Sequence, residues 1–338
     1  MGHPPPDAPA PAPAPPVTII GAGVIGLTTA IRLAESGRRV EVVARAFSPH
    51  TTSDVAAAVW YPFRAGPADA VARWALRSYA VLGALAADPA TGIAVVEGRE
   101  YAHDIVPYEP WHDHVDGFRQ LPPGEVPPPF RHGIAFRAPV VQMPRYLAWL
   151  HERATALGVA FRTHAFDAGE LSALVAAGAV VVNCTGLGAR ELVGDGTLYA
   201  IRGQIVRVAP GHAPHFVQAT RLPQPVTYVI PRADCTVLGG STDAGREDLA
   251  IDPAEAAAIR ARCVALMPAL ADAAILGHAV GLRPGRDAVR LEREDVGAGV
   301  IVHCYGHGGA GVTLSWGCAE DVVALVNGAQ RGLQSLNP

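Results

Sequence analysis

The 338-residue sequence contains no run of about 18 apolar residues, which excludes a membrane-spanning helix. It has little net charge, −4 with a pI near 6.3, and no basic block, which argues against nucleic acid or an anionic membrane surface as partner. It has no C-x-x-C spacing. Its five cysteines, Cys184, Cys235, Cys263, Cys304 and Cys318, are scattered and odd in number. That pattern disfavours a disulfide frame or a zinc site and points to structural thiols in a reducing cytoplasm. His103, His112 and His114 lie in a polar, proline-rich stretch, and their H-x8-H-x-H spacing does not specify a metal site; no metal is expected. What the chain does have is apolar bulk. Half of its residues are hydrophobic, enough for one large or two smaller cores.

Residues 1–16 are nearly all proline, alanine and glycine, a composition expected to form a disordered, partly extended leader. It lacks the basic and apolar regions of a secretory signal. From Val17 the chain turns apolar. The run V-T-I-I reads as a strand, Gly21-Ala22-Gly23-Val24-Ile25-Gly26 as a glycine turn opening a helix, and Val40 to Ala44 as a second strand. Gly21 allows a tight turn, Gly23 lets a pyrophosphate approach the backbone, and Gly26 lets helix and strand pack closely. A dinucleotide site follows from that context. An acid normally ends the second strand and holds the adenosine ribose, but Ala44, Arg45 and Ala46 stand there, with Glu41 placed mid-strand. Taken alone, Arg45 would suit the 2′-phosphate of NADP.

Further on, Thr51, Thr52 and Ser53 offer hydroxyls and N–H groups to phosphate oxygens, and small residues follow at Ala56, Ala57 and Ala58, then Val59. Those alanines let backbone lie against a flat ring; a capped, alanine-rich helix is the alternative. Residues 68–86 read as a helix, and 143–157 as an amphipathic helix ended by Gly158. A buried strand at 179–183 leads into C-T-G, where Gly186 permits either a close approach to a cofactor or a plain tight turn. Val300 to Cys304 reads as a buried strand, followed by a loop with Gly306, Gly308, Gly309 and Gly311 and a helix to Val326. Backbone N–H groups at that loop, from Gly308 through Ala310, Val312 and Thr313, can meet an anion or a polar ring. Arg283 and Arg286 flank Pro284, which suggests a guanidinium held on a stiffened turn and suited to a carboxylate.

The segments Gly281 to Glu292 (G-L-R-P-G-R-D-A-V-R-L-E) and Tyr305 to Ala319 (Y-G-H-G-G-A-G-V-T-L-S-W-G-C-A) resemble the two signatures of the D-amino-acid oxidase family, which also includes D-aspartate oxidase. The T-T-S-D-V-A-A-A-V-W stretch is similar to that family's T-T-T-D-V-A-A-G-L-W segment, which wraps the flavin. The resemblance implies an α/β fold: a doubly wound, Rossmann-like FAD domain built from residues 17–62, 138–195 and 281–328, with residues 63–137 and 196–280 forming a substrate domain around a mainly antiparallel sheet. It implies FAD as cofactor, a D-amino acid and O2 as partners, and a possible homodimer. Arg283 and Tyr228 are expected on the substrate carboxylate, and the Gly309 carbonyl on its amine. The implied reaction is oxidative deamination of a neutral D-amino acid to a 2-oxo acid, ammonia and hydrogen peroxide. Thr242 stands where the D-aspartate branch carries an arginine, so a second carboxylate would lack its partner at roughly 2–5 kcal/mol. The segment 215–227 has no tyrosine matching the animal enzymes' lid. D-aspartate oxidase, another flavin amine oxidase such as glycine oxidase, an NADP-dependent dehydrogenase and a non-catalytic flavin module are the alternatives.

Overall fold

In a computed structural model the described residues are 16–63, 65–219 and 225–328. The chain alternates between two sheets. It opens with β1 (Val17–Ile20), α1 (Val24–Glu35) and β2 (Val40–Ala44), then a single 3-10 turn at Thr52–Val55. Next come α2 (Ala68–Leu85), β3 (Ile93–Ala102), β4 (Arg119–Gln120) and β5 (His132–Val141). It returns through α3 (Met143–Ala156), β6 (Ala160–Thr163), α4 (Ala168–Ala176), β7 (Val180–Asn183) and α5 (Ala189–Leu192). A second excursion contains β8 (Tyr199–Val208), β9 (Phe216–Ala219), β10 (Thr227–Pro231), β11 (Thr236–Gly239), β12 (Asp243–Ala244), α6 (Pro253–Leu266) and β13 (Ile275–Gly285). The chain closes with β14 (Arg290–Val296), β15 (Gly299–Tyr305) and α7 (Gly311–Val326).

The first sheet has the order β14-β15-β7-β1-β2-β6, parallel except for β14. Its inner strands are apolar on both faces, as a sheet covered by helices requires. α1 and α7 lie side by side, joined where the Thr28 hydroxyl donates to the Ser315 carbonyl at 3.3 Å. Leu171 and Val175 of α4 pack on Ile20, Val181 and Ile301 from the sheet. The strand order reverses between β1 and β7, so a crevice opens beyond their carboxyl ends, where open α/β sheets bind ligands. The second sheet runs β12-β8-β11-β10-β9-β3-β5-β4, with β13 paired along the whole of β8. Residues 138–141 and 281–285 lie in β5 and β13, so the chain leaves this sheet a few residues after the points expected from sequence. Among the described residues no helix is long and apolar enough to cross a membrane.

Candidate functional site

Three loops meet at the crevice. The first is the glycine turn after β1. Gly21 has φ +115°, and a Cβ there would lie 2.5 Å from the Cys184 carbonyl oxygen. A Cβ on Gly26 would strike the Gly21 carbonyl, so the close packing of strand and helix depends on the bare backbone. Ala22 is buried, and Gly23 caps α1 with its would-be Cβ 3.0 Å from Ser53 Oγ. The Val24 N–H donates to that same Ser53 oxygen at 3.0 Å. The N–H groups of Ile25 and Gly26, in the first turn of α1, have no acceptor earlier in the helix.

The second loop runs from Ser48 to Trp60. Asp54 is buried and accepts from the Thr51 N–H (2.9 Å), the Thr51 hydroxyl (2.7 Å) and the Ser48 hydroxyl (2.6 Å). That carboxylate, which the sequence reading passed over, fixes the turn and leaves Thr52 exposed. Ala56 to Val59 are not helical. Instead the segment lies against β5, with the Val141 N–H donating to Ala58 O (2.8 Å) and Trp60 N–H to Pro139 O (2.8 Å). Ala58 has φ +61°, the left-handed region, and occupies the place of a glycine in the T-T-T-D-V-A-A-G-L-W pattern, so the alignment already held the signal.

The third loop joins β15 to α7. The N–H groups of Gly311, Val312 and Thr313 begin α7 and have no acceptor within it. The Thr313 hydroxyl is committed elsewhere: it donates to Tyr61 O (3.0 Å) and accepts from Tyr61 N–H (3.1 Å), which leaves only its backbone for a ligand. Ala310 N–H donates back to His307 O at 3.0 Å. Gly309 is exposed, and a Cβ there would lie 2.6 Å from the Phe63 ring.

β13 spans all three loops. Gly281 faces Val55 of the second loop, and Gly186 of the turn after β7 (φ +59°) abuts the Pro284 ring. The Gly308 N–H donates to Pro284 O at 2.8 Å. Arg283 and Pro284 therefore sit in a regular strand, not on the turn expected from the Arg-Pro-Gly-Arg spacing. Proline is tolerated there because β13 pairs on its β8 side and packs against loops on the other.

On this strand the Arg283 guanidinium lies flat over Gly203 of β8 and donates to the Ser241 carbonyl at 3.1 Å. Tyr228 of β10 pairs with Gly239 of β11, and its ring covers the space a Cβ on Gly239 would fill. Burial pushes the Tyr228 phenol upward against the opposing effect of the adjacent Arg283 charge, so it is a donor at neutral pH. Glycines inside strands mark such close approaches, and the pair Gly203 and Gly239 was legible in that sense.

The other arginines nearby are engaged. Arg286 donates to Asp195 Oδ2 (3.1 Å) and Ala288 O (2.8 Å). Arg232 grips Asp234 (2.6 Å) and reaches Ala56 O (3.4 Å). Arg283 has no carboxylate partner among the described residues. Asp195 also accepts from the Tyr305 hydroxyl at 2.9 Å and from Thr197. Burial raises its carboxyl, but the Thr197 and Tyr305 donors and the Arg286 charge outweigh this and hold it at about 2.

Several sequence-selected residues lie apart from this centre. Arg45 is exposed just beyond β2, and Glu41 is paired with Arg162 Nε at 3.1 Å, so among the described residues no acid of β2 stands free. His103 packs on Phe130 while His112 stacks on Phe118, so the three histidines of the polar stretch form no cluster. The cysteines are less scattered than the sequence suggests. Cys184, Cys304 and Cys318 converge beneath the crevice together with His307. Residues 220–224 of the segment compared with the animal lid lie outside the described residues.

Residues 16–325 match the model of a family described as FAD dependent oxidoreductase. The chain is 48% identical over 316 residues to the D-amino-acid oxidase of Rubrobacter xylanophilus, covering 92% of this chain and 95% of that one. It is 43% identical over 320 residues to the D-amino-acid oxidase of Streptomyces coelicolor, with 92% and 96% covered. To the D-aspartate oxidase of Homo sapiens it is 33% identical over 339 residues, with 95% and 97% covered. Its fold is similar to that of glycine oxidase from Geobacillus kaustophilus, with a TM-score of 0.77 at 21% identity over 95% of this chain and 96% of that one.

Proposed function

Starting from the membership of this chain in the FAD-dependent oxidoreductase family, as an FAD-dependent D-amino-acid oxidase, we propose that it oxidises D-amino acids with neutral side chains and that Arg283 and Tyr228 hold their carboxylate. The single observation carrying this reading is Arg283 itself. A half-buried guanidinium with no acidic partner among the described residues, beside a protonated phenol and laid on a glycine cradle, is a site built for a carboxylate.

The residues present fit FAD. The bare backbone at Gly21 and Gly26 and the unclaimed N–H groups of α1 suit a pyrophosphate, and those of α7 suit a polar ring edge. Gly23, Ser53, Gly186 and the loop from Gly308 to Thr313 line the same crevice. When bound, FAD supplies the two-electron acceptor for the substrate Cα–H and passes those electrons to O2, giving hydrogen peroxide. The division of labour between the sheets follows: the six-stranded sheet and its helices carry the cofactor, and the nine-stranded sheet roofs it with the substrate groups.

The protein's part is orientation. Arg283 grips the carboxylate by two parallel hydrogen bonds, and Tyr228 adds a third donor. The Gly309 carbonyl, exposed beside Phe63, accepts from the substrate amine. With carboxylate and amine both fixed, only one enantiomer presents its Cα hydrogen to the crevice while its side chain points away. No amine base takes part: all 27 residues of the Lys+Arg total are arginine, and the chain has no lysine. The amine need only bind in its neutral form, and the resulting imino acid hydrolyses in water to a 2-oxo acid and ammonia.

The preference for neutral side chains rests on Thr242, which follows Ser241, the residue whose carbonyl receives Arg283. Steady-state kcat/KM for D-methionine and D-aspartate in the wild type and in Thr242→Arg tests it. The wild type should favour D-methionine, and the variant should gain about tenfold or more on D-aspartate, the minimum for one new ion pair in a partly buried site. A wild-type preference for D-aspartate would overturn the proposal.

A further inference from the structure

Three of the five cysteines come from three different elements and meet at one point. Cys304 is the penultimate residue of β15, Cys318 lies on the buried side of α7, and Cys184 follows β7, which runs parallel to β15 with His303 opposite Asn183. The Sγ atoms of Cys304 and Cys318 and a ring nitrogen of His307 all lie within 4.8 Å of one another. The Cys304 Sγ to His307 Nε2 distance is 3.9 Å. The Cys184 thiol lies beside Cys304, and Cys304, Cys318 and His307 are almost wholly buried.

From this geometry we infer a binding site for a thiophilic divalent cation of the zinc or cadmium class, with Cys304, His307 and Cys318 as ligands. The donor set is two sulfurs and one imidazole, which selects zinc or cadmium over magnesium or calcium. The spacing also fits. In a tetrahedral zinc site with bonds of about 2.3 Å to sulfur and about 2.0 Å to nitrogen, a sulfur–nitrogen edge is about 3.5 Å. The observed 3.9 Å exceeds that edge by a few tenths of an ångström. Cys304-Tyr305-Gly306-His307 is a short C-x2-H chelate, and Gly306 at φ +82° turns the chain so that both ends face inward.

The site has a mechanical consequence. His307 immediately precedes the Gly308–Thr313 loop, so a bound ion would tie that loop to β15 and α7 at once.

The holoenzyme, stripped with a chelator and desalted, would be titrated with Cd2+ and separately with Zn2+. Bound metal would be counted by elemental analysis after gel filtration. The expected result is one ion per chain, a thiolate-to-cadmium charge-transfer band in the ultraviolet, and release of about two protons per ion. Cys304→Ser and Cys318→Ser should each abolish the band, while Cys235→Ser, away from the cluster, should keep it. The wild-type band and stoichiometry need no variant, so they decide the matter even if a substitution prevents folding. A wild type that retains no ion, or a Cys304→Ser protein that retains the full complement, would overturn the inference.

Discussion

Removing the Arg283 guanidinium should disable the substrate site while leaving the protein and its cofactor intact. Within the protein, Arg283 spends one donor on the Ser241 carbonyl and packs over Gly203. Four of its five N–H groups remain. Arg283→Ala therefore costs the fold one neutral hydrogen bond and some packing, about 1–2 kcal/mol. Its cost to turnover is larger. Two charge-assisted hydrogen bonds to a carboxylate, at about 1.5–3 kcal/mol each with water as a partial substitute, amount to roughly 3–5 kcal/mol, or about 10²–10⁴ in kcat/KM. Tyr228→Phe keeps the ring over Gly239 and loses one neutral donor, so it should cost about 1–3 kcal/mol. The assay is peroxide release from D-methionine, with the visible flavin spectrum and thermal unfolding recorded on the same samples. Arg286→Ala serves as the contrast. It strands the buried Asp195, so its loss should appear in unfolding as well as in activity. Near-normal kcat/KM with Arg283 gone, or a larger loss at Tyr228 than at Arg283, would refute the reasoning.

Two further outcomes follow from the loops and their buried charges. At Ala58, φ +61° costs about 1–2 kcal/mol for a residue with a Cβ; glycine relieves this but gives back about 0.5–1 kcal/mol of backbone entropy and a buried methyl, so Ala58→Gly should be neutral to slightly stabilising. Ala58→Val should instead lower thermal stability by more than about 2 kcal/mol, since a branched side chain fits that region worst; an undiminished melting temperature for the valine variant would contradict the strain. Asp195, held at about 2 when folded against about 3.9 when unfolded, contributes stability that is present above the unfolded value and lost as pH falls through the folded one. The stability margin of wild type over Asp195→Asn, measured by denaturant unfolding, should therefore shrink by about 2 kcal/mol between pH 5 and pH 2; a constant margin would dissociate Asp195 from the acid response.

Much of the site was legible because its signals are local. The glycine turn at Gly21 to Gly26 and the strand, loop and helix around Gly308 each declare themselves within some twenty residues, through periodicity and bare backbone. Tyr228 and Arg283 were found through motif resemblance, and their pairing across β10, β11, β8 and β13 appears only when the second sheet forms. What the sequence hid is long-range. Nothing near Arg283 reveals that β8 extends the sheet and turns an apparent turn into a strand. The meeting of Cys184 with Cys304 and Cys318 depends on β7 lying beside β15, with more than a hundred residues between the first two. The departure at the end of β2 is physical as well: Glu41 is neutralised by Arg162, and Arg45 is exposed.

The most direct test of the central claim is peroxide and 2-oxo acid formation by the purified, FAD-loaded protein given D-alanine and L-alanine separately in air. The account predicts equal amounts of peroxide, 2-oxo acid and ammonia from D-alanine, and none from L-alanine. Peroxide from the L-enantiomer, or none from any neutral D-amino acid with the flavin bound, would contradict it.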